Sequence, residues 1–228
     1  MIRQYVFATT LLLVTPIAAV SEMVMLDPVD ARNALIRVFH FRTVGLFTSS
    51  NPLVAGFHTL ELGIESTDRE FGLAFDLASV PNNATILSAE LRVNESAIAP
   101  PSGGFISENF HLSYRQGNGV IAASDFPINS PPGTVTLKSI TAAYAPTETT
   151  YDLTAAIVTA VADEWNYIEM RALMVGSQNE GIQWTNTAAV HPQLVITYAV
   201  PEAHSLVLSA TGALVLVGGM RHRRVRKT

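Results

Sequence analysis

Phe71-Gly72-Leu73-Ala74-Phe75-Asp76-Leu77, which resumes after Pro81-Asn82-Asn83 as Ala89-Glu90-Leu91-Arg92-Val93-Asn94, decides the fold class of this chain. In both halves a large apolar residue takes every second position, the period of a strand that buries one face. The proline and two asparagines between them break the run. The pattern recurs downstream. Phe110, Leu112 and Tyr114 alternate with His111, Ser113 and Arg115, and Gln116-Gly117-Asn118-Gly119 reads as a turn. Val135 and Leu137 follow the Ser130-Pro-Pro-Gly133 break; Ile168, Met170 and Ala172 form a further strand, Ile182 and Trp184 a short one, and Leu194, Ile196 and Tyr198 the last. Between them, Ile157, Val158, Val161 and Trp165 stand at helical spacing and predict one helix over 155–165. Many short strands separated by Pro, Gly and Asn predict an all-β fold, a β-sandwich or jelly roll with one short helix. No internal repeat of fixed period is visible.

The two ends read differently. Arg3 precedes an apolar run over residues 5–20 centred on Leu11-Leu12-Leu13-Val14, with small residues at Ala19 and Ser21. This pattern predicts a secretory signal peptide over residues 1–21, cleaved after Ser21 or after Ala19. At the other end Pro201-Glu202-Ala203 precedes an apolar run over residues 205–220 and the cluster Arg221, His222, Arg223, Arg224, Arg226 and Lys227. As a helix that run rises about 24 Å against a hydrocarbon core of roughly 30 Å, so it inserts only with its basic side chains reaching back to the interface. Positive charge lies outside both apolar runs, which places both chain ends in the cytoplasm and the body between them outside.

Composition agrees with an exported body. Residues 22–199 hold eight Lys and Arg against 18 Asp and Glu, a net charge of −10, although the whole chain carries −5. Such a surface repels phosphate backbones, so nucleic acid is not an expected partner. The chain has no cysteine, so no disulfide supports the body and thiol catalysis is excluded. About 180 residues suffice for one packed core.

Two resemblances follow from these stretches. The tail resembles a PEP-CTERM sorting signal: Pro201 and Glu202 match its motif, Gly212 falls within the apolar helix, and Arg221, Arg223, Arg224 and Arg226 match its basic end, while Ala203 stands in place of the second proline. The resemblance implies transient membrane anchoring and cleavage by an exosortase-type membrane protease, after signal peptidase has acted at the other end. Residues 59–93, with Phe75-Asp76-Leu77, Pro81 and Ser88-Ala89-Glu90-Leu91-Arg92-Val93, resemble the core of DNRLRE (CBM96-like) domains; Tyr151-Asp152-Leu153-Thr154 resembles their "YDVT" segment, and His191 to Tyr198 their closing strand. That likeness implies a β-sandwich over residues 22–199, of a kind that in some relatives binds polysaccharide. The domain plan is therefore 1–21 signal peptide, 22–199 sandwich, 200–228 sorting signal with a transmembrane helix.

No motif carries catalysis. The carboxylate pairs Asp68/Glu70 and Asp163/Glu164 read as solvated residues at a strand entry and a helix end. His40, His58, His111 and His191 are scattered singly, without metal-ligand spacing. No Gly-x-Ser-x-Gly elbow is present. No cofactor is expected; structural calcium on loop carboxylates and carbonyls is the one metal left open. Sugar rings stack on exposed aromatic faces, which singles out Trp165, Tyr167 and Trp184 as candidate ligand-binding residues, with Tyr114 and Tyr144 behind them; core packing competes for each. The expectation is a non-catalytic envelope or matrix protein that binds or organises extracellular polysaccharide. A purely structural or adhesive surface protein is the alternative, and a polysaccharide hydrolase or lyase the third.

Overall fold

The computed structural model describes residues 19–38, 42–46, 51–61, 65–98, 108–126, 134–140, 143–175 and 181–201. Among them the strands are β1 (Ala19–Leu26), β2 (Asp30–Val38), β3 (Arg42–Leu46), β4 (Leu53–Glu61), β5 (Glu65–Asp76), β6 (Thr85–Ile98), β7 (Glu108–Gln116), β8 (Thr134–Ile140), β9 (Tyr144–Asp152), β10 (Tyr167–Val175), β11 (Gly181–Trp184) and β12 (Gln193–Pro201). One helix, α1 (Thr154–Ala162), and one 3-10 turn (Ala123–Asp125) complete the described elements. The all-β, antiparallel class expected from the alternation is thus observed, with one short helix. Ser21–Ala199 forms a compact unit by itself. The predicted signal peptide up to residue 18 and the tail from Glu202 onward lie outside the described residues. Among the described residues no helix is long and apolar enough to cross a membrane.

The sheet branches because its two longest strands each serve two partners along one edge. β5 pairs with β4 through Glu65–Arg69 and with β10 through Phe71–Asp76, while β2 runs along its other edge. β6 pairs with β12 up to Arg92 and with β11 from Glu95, with β9 on its other edge. One arm is therefore β1-β12-β6-β9 and the other β3-β2-β5-β10-β7-β8, joined through the β11–β4 pair. The arms meet across an aromatic cluster: Trp184 of β11 lies 4.8 Å from Phe71 of β5, 5.7 Å from Phe110 of β7 and 5.9 Å from Tyr151 of β9, between ring centres. Leu73, Phe75, Leu91, Leu112, Ile168 and Ile196 extend this core, every one of them at an apolar position of the alternating stretches.

Contacts between β1 and β12 fix the edge of the first arm. Glu22 accepts from the Tyr198 hydroxyl and Asp27 from the Gln193 amide. The two contacts run in opposite directions along the chain, so the pair is antiparallel and the start of β1 lies by the end of β12. The body's first and last residues leave it side by side.

Three expectations change. β5 is not half-buried: Ala74 and Gly72, on the face opposite Phe71, Leu73 and Phe75, are buried too. Residues 117–126 lie over that outer face, and Ile121 and Phe126 pack with Ala34, Ile36 and Ala74, flanked by Val44 and Leu46. The Ile121 side chain lies 2.9 Å from where a Cβ on Gly72 would stand, so the close approach needs glycine there. Glu70 is not a solvated residue. It is buried on β5 and holds the Arg171 guanidinium of β10 through two hydrogen bonds, Nη2 to Oε1 being 2.6 Å.

The helix stops at Ala162 rather than 165. Glu164 takes a left-handed conformation (φ 56°), its N–H donates to Val161 O at 3.2 Å, and the Trp165 N–H donates to Ala160 O at 2.9 Å. This pair of bonds is a Schellman closure. Trp165 is the residue that completes the cap and is not on the helix face.

Candidate functional site

The aromatic residues singled out from the sequence do not form one surface. Trp184 is 0 % exposed, and no sugar ring can stack on it. It belongs to the core, where its Nε1–H donates to Oε2 of Glu95 at 2.7 Å. Glu95 is itself fully buried and also accepts from the hydroxyls of Tyr144 and Tyr151. Three donors on one carboxylate satisfy a charge that burial would otherwise expel. Burial and the neighbouring carboxylate push both tyrosine pKa values far above their ordinary range. Sequence reasoning did not single out Glu95, although a signal was present: it follows Ala89, Leu91 and Val93 on the inward parity of β6, where an acid needs partners.

Trp165 and Tyr167 are half-buried. Tyr167 opens β10 opposite Asp76, and its ring lies 2.8 Å from the place a Cβ on Gly119 would take; Gly119 has φ 84°. The turn 116–119 is thus fitted around Tyr167. Tyr114 is half-buried near Arg115 and Phe126.

Beneath the 117–126 segment runs a network of charges. Arg115 bonds Glu169 at 2.8 Å and pairs with Asp125. Glu169 accepts from Asn118 N at 2.9 Å, Asp30 from Ile121 N at 2.9 Å and Asp125 from Ala122 N at 2.5 Å. Arg171 lies 5.9 Å over the Phe126 ring. The carboxylates satisfy backbone donors and fasten the segment down, leaving a void of only about 10 Å³, room for a single water. This network is an attachment, with no space for a ligand.

The outer face of the β9-β6-β12-β1 arm is different. Glu148, Thr150 and Asp152 of β9 stand opposite Asn94, Arg92 and Glu90 of β6, and Arg92 and Glu90 stand opposite Gln193 and Val195 of β12. A groove of about 350 Å³ opens here, lined by Arg92, Asn94, Glu148, Val190, His191 and Gln193. β6, β9 and β12 contribute Arg92, Asn94, Glu148 and Gln193 from their outward parity, and the 187–191 loop forms the wall. Arg92 is bonded to Glu90 at 3.1 Å, Asn94 Oδ1 accepts from Thr185 Oγ1 at 3.1 Å, and His191 contacts Asp27 at 2.8 Å. The side chains are oriented by one another and keep donors and acceptors toward solvent. Hydrogen bonds from His191 and Gln193 lower the Asp27 pKa below its ordinary value. The groove suits a hydroxyl-rich, water-soluble ligand held by hydrogen bonds.

Among the described residues, no group of three or more His, Asp or Glu side chains gathers to hold a metal ion. His111 is half-buried, and burial lowers its pKa. His40 lies outside the described residues, as does the His58 side chain.

No protein-family model matches the chain, and no curated protein matches it.

Proposed function

We propose that this chain is an exported, membrane-sorted envelope or matrix protein whose β-sandwich body binds extracellular polysaccharide without catalysis. The groove between β9, β6, β12 and the 187–191 loop carries the binding half of the reading: about 350 Å³ of open space in which Arg92, Asn94, Glu148 and Gln193 offer hydrogen bonds beside the apolar Ala189 and Val190. The two facing arms are the layers of the sandwich. Saccharide hydroxyls would be met by the Arg92 guanidinium, the Asn94 and Gln193 amides and the Glu148 carboxylate. Ligand binding thus moves from Trp184, which is closed off, to the groove.

The sorting half rests on the signal-peptide pattern over residues 1–21 and the tail with Pro201, Glu202, Arg221, Arg223, Arg224 and Arg226. The Glu22–Tyr198 bond, which holds the start of β1 by the end of β12, supports it, since a body flanked by two membrane-directed segments needs both ends at one side. Signal peptidase and an exosortase-type protease are the processing partners, with a C-terminal single-pass anchor before cleavage.

The test has two arms. The detergent-solubilised full chain is titrated with dextran as a neutral glycan and alginate as an acidic one. Asn94→Ala with Glu148→Gln should lower affinity about tenfold or more, two lost hydrogen bonds, while Trp165→Ala in the α1 cap changes it little. No binding of either glycan, or binding that these groove substitutions leave intact, rejects the groove. Neutralising Arg221, Arg223, Arg224 and Arg226 to Gln should abolish processing of the tail; unchanged processing rejects the sorting reading.

A further inference from the structure

His191 stands where the groove wall meets the end of the first strand. Its Nδ1 lies 3.2 Å from the carbonyl oxygen of Thr187 and its Nε2 lies 2.8 Å from Oδ1 of Asp27. Neither oxygen can donate. One is a backbone carbonyl; the other belongs to a carboxylate that also accepts from Gln193 Nε2 at 3.1 Å. A neutral imidazole carries one N–H and can serve only one of them, whereas the imidazolium serves both.

The wall itself is a closed turn. Thr187 N donates to Val190 O at 2.7 Å, and Val190 N donates to Thr187 Oγ1 at 3.1 Å. Ala189 and Val190 line the groove, so its wall is carried by this turn. The His191 ring ties the turn, through Thr187, to Asp27. The other charges about the groove are few: Arg92 and Glu90 on β6, paired with each other at 3.1 Å, and Glu148 on β9. Gln193 on β12 is neutral. Asp27 remains a carboxylate through the range in which a histidine titrates, because its hydrogen bonds from His191 and Gln193 hold its pKa low.

We infer that the groove is gated by pH: the protonated His191 ring ties the 187–190 turn to Asp27 and keeps the wall closed on a bound ligand, and loss of the proton frees the wall. This regulation rests on the groove being the binding site. The sign follows from the donors. The charged ring makes both bonds and the neutral ring only one, so binding weakens as pH rises. His191 is 22 % and Asp27 65 % exposed, so the tie has the strength of a surface ion pair and the effect is a few-fold one.

The experiment uses the detergent-solubilised full chain at about pH 5.5 and about pH 8, with dextran and alginate as probes and amide hydrogen exchange over residues 187–191 as a ligand-independent readout. Binding about threefold to fivefold tighter at the lower pH is expected, with slower exchange in the turn after correction for intrinsic rates. His191→Gln, which keeps one donor and removes the titration, should show no difference between the two pH values in either binding or exchange. If exchange in the turn depends on pH and neither glycan binds, the His191 tie on the turn stands and the groove reading fails, and the gating of binding falls with it. Equal binding and equal exchange at both pH values overturn the gate and leave the groove. A pH dependence that persists in His191→Gln also overturns it.

Discussion

Replacing Glu95 by glutamine probes the most concentrated polar interaction in the core. The carboxylate is fully buried and takes hydrogen bonds from Tyr144, Tyr151 and Trp184, the last at 2.7 Å. Glutamine keeps the shape but presents one carbonyl oxygen and one NH₂ group: with the nitrogen toward Trp184 the indole N–H loses its acceptor, and with the nitrogen toward Tyr144 that hydroxyl must turn from donor to acceptor. A buried donor left without an acceptor costs about 1–3 kcal/mol, and the bonds that survive weaken from charged to neutral by roughly 1 kcal/mol each. Relief of the buried charge offsets part of this. A net destabilisation of about 2–4 kcal/mol is expected, a large share of the roughly 5–15 kcal/mol that holds a typical domain folded. Denaturant unfolding followed by tryptophan fluorescence measures it, since Trp184 reports on its own neighbourhood. Tyr151→Phe supplies the second leg: alone it should cost about 1.5–3 kcal/mol, but about 1 kcal/mol or less in the Glu95→Gln background, because the acceptor has already been weakened. If Glu95→Gln stays within about 0.5 kcal/mol of wild type, or the two effects simply add, Glu95 is not what organises the aromatic cluster.

Alkaline stability follows from the same cluster. Tyr144 and Tyr151 have folded pKa values raised above the ordinary 10.0, so their contribution is fully present below pH 10.0 and is lost as pH rises beyond it. Unfolding free energy should fall by about 1.4 kcal/mol per pH unit for Tyr151, less for the half-exposed Tyr144, and the tyrosinate absorbance lost in Tyr144→Phe with Tyr151→Phe should be the part that appears together with unfolding. Arg171→Met strands the buried Glu70 carboxylate and should destabilise by about 3–5 kcal/mol in urea melts, whereas Arg171→Met with Glu70→Leu recovers most of the loss. Glu164→Gly relieves a left-handed residue at the helix cap and should raise Tm by about 1–3 °C in calorimetry; no change or a decrease refutes the strain.

The alternating stretches were legible because a strand with one wet face writes its burial into every second residue. β6 is the clearest case: Ala89, Leu91 and Val93 point inward as expected, and the same parity leads to Glu95. The outward residues of β10 misled. Glu169 and Arg171 look like solvent-facing polar positions, yet both are buried, because a cover from far along the chain at 117–126 is invisible to local periodicity. β9 went unseen since Tyr144-Ala-Pro-Thr-Glu-Thr-Thr150 shows little apolar alternation; as an edge strand it is held by β6 alone, with Pro146 at the register irregularity where a missing donor is tolerated. For the groove, the sequence offered only its parts. Arg92 and Asn94 were visible as outward positions, but His191 and Glu148 join them through strand order, which no single stretch encodes.

The pairing of β1 with β12 carries a consequence for the order of assembly. Glu22 finds its partner in Tyr198, 176 residues later, so the first strand of the sheet to be synthesised must wait for the last. Closing a loop of that length is slow, and no fragment ending before Gln193 can complete the first arm. The chain is therefore built to remain unfinished until nearly all of it has been made, with an early segment kept open and vulnerable meanwhile. A ribosome-stalled chain that stopped short of β12 should stay sensitive to protease at β1 while the complete one does not.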